Sequence, residues 1–108
     1  MMTREEIADL PLINNNQSDK KRFELHVEDK VAFLDYMIVR GNTMYLTHTE
    51  VPIGLEGKGV GSSIVTKVIN HIRENNMLMA PLCPFLAAYL KRHPEMAEGI
   101  LAPGFRIG

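Results

Sequence analysis

The stretch Glu56-Gly57-Lys58-Gly59-Val60-Gly61-Ser62 sets glycine at every second position just before a helical pattern. Glycine tolerates backbone angles that other residues avoid and lets a ligand approach the main chain. The first N–H groups of a helix have no partner inside it, and the helix dipole adds partial positive charge there. Such a turn suits a phosphate. Two nucleotide signatures fail on these residues. A Walker A loop needs glycine where Pro52 stands and serine or threonine where Gly59 stands. A dinucleotide fingerprint begun at Gly57 ends on Ser62, and one begun at Gly59 ends on Ile64. A helix whose glycine-rich start binds nothing is the competing reading.

Other residues carry chemistry by type and place. Cys83 precedes Pro84. Proline suits the first helical position, so Cys83 falls at or beside an N-cap, where the dipole favours a thiolate. The alternative is a buried, inert cysteine. His48 and Glu50 share one face near a strand end and could take a proton from an ammonium group, or could be satisfied polar residues. Tyr89 could act as a general acid or could pack in the core with its hydroxyl bonded. Lys91-Arg92-His93 could meet a phosphate or sit solvated at a helix end. His26 and His71 read as plain surface residues. No spacing of His, Cys, Asp or Glu forms a metal site, since a lone cysteine cannot nucleate one.

With 108 residues, the chain has room for one core. A net charge of -1 gives no electrostatic case for nucleic acid or an anionic membrane. Apolar runs are too short to span a bilayer, and no charged-then-apolar leader opens the chain. One cysteine rules out an internal disulfide and suits a cytoplasmic location.

The elements that position these residues are set by periodicity. Residues 1–19 read as a mobile lead-in, with a capping box at Thr3-Arg4-Glu5-Glu6 and an irregular asparagine run. Arg22–Glu28 alternates with Phe23, Leu25 and Val27 on one side, which predicts a half-buried strand. Val31–Arg40 and Asn42–Val51 predict two more, joined at Gly41-Asn42 and ended by Pro52. A helix is expected over 60–75, burying Val60, Ile64, Val65, Val68, Ile69 and Ile72. Met77–Leu82 reads as a buried strand parallel to its predecessor through a right-handed crossover. Pro84–Arg92 reads as a second helix burying Phe85, Leu86, Tyr89 and Leu90. The tail, 96–108, could add an edge strand at Phe105-Arg106-Ile107 or stay loose.

That order resembles the minimal, single-domain GNAT N-acetyltransferases with a cysteine after the strand that follows the long helix. The resemblance rests on Thr49-Glu50-Val51-Pro52, on Glu56-x-x-Gly59-x-Gly61 and on Pro81-Leu82-Cys83-Pro84-Phe85. It covers about Arg22 to Glu95, so 20–95 is taken as the catalytic domain. It implies the mixed α/β GNAT-like acyl-CoA N-acyltransferase fold: antiparallel strands, then a β-α-β-α unit, with splayed central strands. It further implies acetyl-CoA as cofactor and an amine of unknown identity as acceptor. Thr49, Glu50 and Val51 would run beside the pantetheine arm. The amides of Gly57, Lys58, Gly59, Val60, Gly61 and Ser62 would hold the pyrophosphate, and Arg92 a phosphate. Cys83 would sit near the thioester as acetyl acceptor or general acid, with Glu50 and Tyr89 as further proton-transfer groups. Glu56 departs from the usual Gln or Arg and adds negative charge, which Lys58 would offset. The helices with which larger relatives bind the acceptor have no room here, so an open site is expected, on a monomer or weak dimer. A CoA-binding module with little catalysis, or an interaction domain whose turn binds nothing, are the alternatives.

Overall fold

The computed structural model describes residues 2–17 and 20–107; Met1, Ser18 and Asp19 of the lead-in and Gly108 of the tail lie outside the described residues. A five-stranded sheet runs in sequence order: β1 (Ile13–Asn15), β2 (Lys21–Val27), β3 (Lys30–Val39), β4 (Thr43–Glu50) and β5 (Leu78–Pro81). The first four are antiparallel, and β5 joins β4 in parallel. Helix α1 (Arg4–Ala8) opens the chain, α2 (Val60–Glu74) crosses from β4 to β5, and α3 (Pro84–Arg92) follows β5.

The apolar residues alternate as expected in β2, and those of β3 and β4 alternate as far as Tyr36 and Leu46. Phe23, Leu25 and Val27 of β2, Ala32, Leu34 and Tyr36 of β3, and Met44 and Leu46 of β4 are buried. They form one core with the six apolar residues of the α2 stripe, all of them buried as their spacing requires. Two expectations are corrected at the edges of that core. Phe85 is not part of the buried stripe of α3 but stands 38% exposed. His71 is not a plain surface residue; its ring meets Phe23 edge-on at 5.1 Å between centroids.

The lead-in is more ordered than its composition implies. Thr3 and Glu6 form the expected capping box, and Ile7 is 1% exposed in the core. The asparagine run does not stay irregular: Asn14 and Asn15 pair with Phe23 and Arg22. The Asn14 side chain accepts the Tyr36 hydroxyl at 2.6 Å, a tertiary bond that local sequence cannot announce. No strand forms at Phe105–Ile107; instead Leu101 bridges Met79, with Met79 N–H on Ile100 and Ala102 N–H on Met79. The tail thereby covers the outer edge of β5. Pro103-Gly104 then turns the chain so that Phe105 meets Tyr45 edge-on.

The other sheet face is mixed and solvent-facing, with His26, His48, Glu50 and Met37 exposed on it. Glu24 lies there almost fully buried, accepting bonds from Asn15 Nδ2, Arg22 Nε and His26 Nε2 at 2.8–3.1 Å. The bond from His26, reinforced by those from Asn15 and Arg22, holds its carboxyl down at about 2. A carboxyl depressed on folding stabilises the fold fully above its unfolded value near 4.5, and the contribution disappears as pH falls through about 2. At neutral pH it is worth roughly 2 kcal/mol, allowing for solvent around Arg22 and His26. Glu24→Gln should therefore cost roughly 2 kcal/mol at pH 7 and much less near pH 2, as read by urea titrations. An equal cost at both pH values would contradict this account.

Candidate cofactor cleft and transfer site

The loop between β4 and α2 is shaped by glycines in the left-handed region. Gly54, Gly57 and Gly59 have φ of 97°, 79° and 79°. Gly59 is the N-cap of α2, and it supplies no side chain to cap the helix. Serine, threonine, aspartate or asparagine usually fills that position and bonds the second or third N–H. The first helical backbone bond runs from Ser63 N–H to the Gly59 carbonyl, at 2.9 Å. The N–H groups of Val60, Gly61 and Ser62 thus precede the helical ladder and meet no capping side chain.

These residues border a cleft of about 350 Å³, lined also by Arg4, Val51, Leu55, Glu56, Gly57, Phe85 and Arg92. Of the residues expected to bind cofactor, the structure gathers Val51, Gly57, Gly59, Val60, Gly61, Ser62 and Arg92 here. Lys58, Thr49, Glu50, Cys83 and Tyr89 are not in the lining. Arg4, Leu55 and Phe85 are additions that the sequence did not assign to the site. Arg4 is 53 residues from Gly57, whose carbonyl it bonds, and no local pattern could have linked them.

Glu56 does not face the helix amides. Its carboxylate accepts the Gly54 N–H at 2.8 Å. Bonds from its own N–H and from that of Gly54 hold its carboxyl below the usual carboxylate range. Glu56 thus braces the turn from within. Lys30 braces it from outside, with Nζ donating to the Ile53 carbonyl at 2.8 Å.

Beside the cleft the sheet opens. The β4–β5 ladder ends where Leu46 pairs with Pro81. Pro81 has no N–H to give, and Leu82 and Cys83 both donate to the Leu46 carbonyl as the chain turns into α3. β4 runs on to Glu50, so beyond Leu46 its edge faces no strand. A bulge opposite Asp35/Tyr36 leaves Thr47 unpaired, its hydroxyl donating to the Asp35 carbonyl at 3.3 Å. One extra residue reverses the facing of every later residue in the strand. Thr49 and Val51 are half-buried, whereas His48 and Glu50 are exposed on the open face, 3.0 Å apart.

Across the gap, Thr49 Oγ1 and Cys83 Sγ lie 3.0 Å apart. Cys83 is the N-cap of α3, as its place before Pro84 required, and is 2% exposed. Tyr89 is 7% exposed. Thr66 donates to the Ser62 carbonyl at 2.8 Å, which leaves its oxygen to accept the Tyr89 hydroxyl at 3.1 Å. Tyr89 thereby fastens α3 to the second turn of α2. Among the described residues no group of His, Cys, Asp and Glu could hold a metal ion.

The mixed sheet, the ladder that opens beyond Leu46 and the glycine-entered helix together form a GNAT-like fold. The family model for GCN5-related N-acetyl-transferases matches residues 22–99, and the chain belongs to that family. The chemistry of the family is acyl transfer, in general with acetyl-CoA as co-substrate. Among curated proteins, none matches the chain at a significant level. No helix among the described residues is long and apolar enough to cross a membrane.

Gly61 serves a different purpose from the other glycines. Its φ is not positive, but a Cβ there would stand 2.3 Å from Phe85 Cζ. Phe85 therefore lies directly over the first turn of α2. Gly61→Ala forces the ring aside, which costs about 1–3 kcal/mol and outweighs the gain of up to ~1 kcal/mol from alanine in a helix. Thermal unfolding should show a net loss of about 1 kcal/mol, turning into a small gain in a Phe85→Ala background. The same effect in both backgrounds would contradict this packing.

Proposed function

We propose that the protein is an acetyl-CoA-dependent N-acetyltransferase that transfers acetyl directly to an amine. The observation that carries this reading is the uncapped start of α2, which opens into a cleft beside the unpaired edge of β4. Acetyl-CoA fits that arrangement by its chemistry, and it supplies an activated acetyl thioester. The N–H groups of Val60, Gly61 and Ser62 hold the diphosphate, and Arg92 and Phe85 flank the rest of the nucleotide. The edge of β4 from Thr49 to Val51 accepts the amide-rich pantetheine arm as a further strand would. Its main-chain N–H groups polarise the thioester carbonyl.

The amine enters from the open sheet face, where Glu50, bonded to His48, takes its proton. The thiol of Cys83, bonded to Thr49 at the end of the β4–β5 ladder, gives the departing thiolate its proton. Its 2% exposure and its bond to Thr49 favour direct transfer over an acetyl-cysteine relay. The absence of strands or helices above Glu50 among the described residues leaves room for an acceptor on a long chain or a protein surface.

Thiol release from acetyl-CoA, measured over a panel of polyamine, lysyl-peptide and N-terminal-peptide acceptors, tests the reading. Wild type should turn over at least one class. Glu50→Gln should lower kcat/KM by about 100-fold, with CoA affinity unchanged. CoA binding without turnover of any amine would instead make the protein a binding module.

A further inference from the structure

Arg4 is the one cleft residue that comes from α1, and it lies outside residues 22–99 that match the family. Its Nη2 donates to the Gly57 carbonyl at 2.6 Å. Its Nη1 stands 2.9 Å from where a Cβ on Gly59 would be, so the guanidinium lies over the turn that begins α2. From this position we infer that Arg4 is a diphosphate-binding residue of the cleft, an inference that rests on the cofactor reading above.

The charge balance of the cleft makes the case. Among the described residues, its charged lining members are Arg4, Glu56 and Arg92. Glu56 is held ionised by the turn's own amides. Without Arg4, one cation and one anion would remain, and the three helix amides would face a doubly charged group with no net positive charge beside them. With Arg4 the lining is net positive. A guanidinium presents five donors in a planar fork. One bonds Gly57, and the fork can meet phosphate oxygens beside the same turn. The side chain is exposed and so has the freedom to adjust.

The placement of Arg4 is built into the fold. The Thr3–Glu6 capping box sets the start of α1. Ile7 is anchored in the core, and Lys67 of α2 donates to the Ala8 carbonyl at the other end. α1 therefore docks on the helix whose first amides form the cradle. The N-terminal segment thus completes the anion site of a domain whose family-matching part begins at Arg22.

Calorimetric titrations of CoA, 3′-dephospho-CoA and pantetheine into wild type, Arg4→Gln and Arg4→Lys test this. Arg4→Gln should weaken CoA and 3′-dephospho-CoA about tenfold alike and leave pantetheine affinity unchanged. Arg4→Lys should recover part of the loss. The salt dependence of CoA binding should be shallower for Arg4→Gln than for wild type. Unchanged CoA affinity in Arg4→Gln would overturn the inference, as would a loss confined to CoA, which would assign Arg4 to the 3′-phosphate. A loss shared by pantetheine would also overturn it, because the arginine would then only shape the loop. Should wild type bind none of the three ligands, the cofactor reading itself would fail, a result distinct from these.

Discussion

A helix that begins on a left-handed glycine has no side chain to cap it. That constraint, at Gly59, governs the site. The N–H groups behind it carry the positive end of the α2 dipole, and they lack the serine or aspartate that most helices supply. With glycine as the N-cap, leaving them uncapped forgoes only a few tenths of a kcal/mol relative to a capping side chain. The fold accepts that cost at a helix end that borders the cleft. Around it the protein spends side chains on keeping the loop in place. Glu56 folds onto Gly54, Lys30 holds the Ile53 carbonyl, and Arg4 holds that of Gly57.

The second constraint is the early end of the β4–β5 ladder. Pro81 cannot donate and Pro84 starts a helix, so β5 stops after four residues while β4 continues. The bulge at Thr47 then turns Thr49 and Val51 towards the helices and leaves His48 and Glu50 on the open face. One strand thereby presents different groups to its two sides. Cys83 is set against Thr49 because the residue before a helix-starting proline falls where β4 has lost its partner. Cleft, gap and the exposed face that carries His48 and Glu50 all border the end of β4 beyond Leu46.

Much of this was legible in the residues. The α2 stripe, the glycines at its start and the position of Cys83 obey local rules of periodicity and capping, and the structure agrees with each. The order of β2 to β5 was legible for the same reason. What escaped depended on contacts between distant segments. Asn14 and Asn15 read as a break because their strand exists through β2 and through the Tyr36 hydroxyl. Phe85 has the spacing of a core residue, yet the missing Cβ of Gly61 gives it a place over α2. Arg4 sits inside a capping box that says nothing of Gly57. The bulge at Thr47 was invisible too, since an extra residue in one strand is defined only by its partner.

The central claim is that the uncapped amides of Val60, Gly61 and Ser62 hold a diphosphate. Backbone amide NMR of the labelled protein during titration with CoA tests it most directly. The account expects the N–H resonances of these three residues to move first and furthest, with pantetheine leaving them in place. Saturable CoA binding that moves other amides but leaves these three unmoved would contradict it.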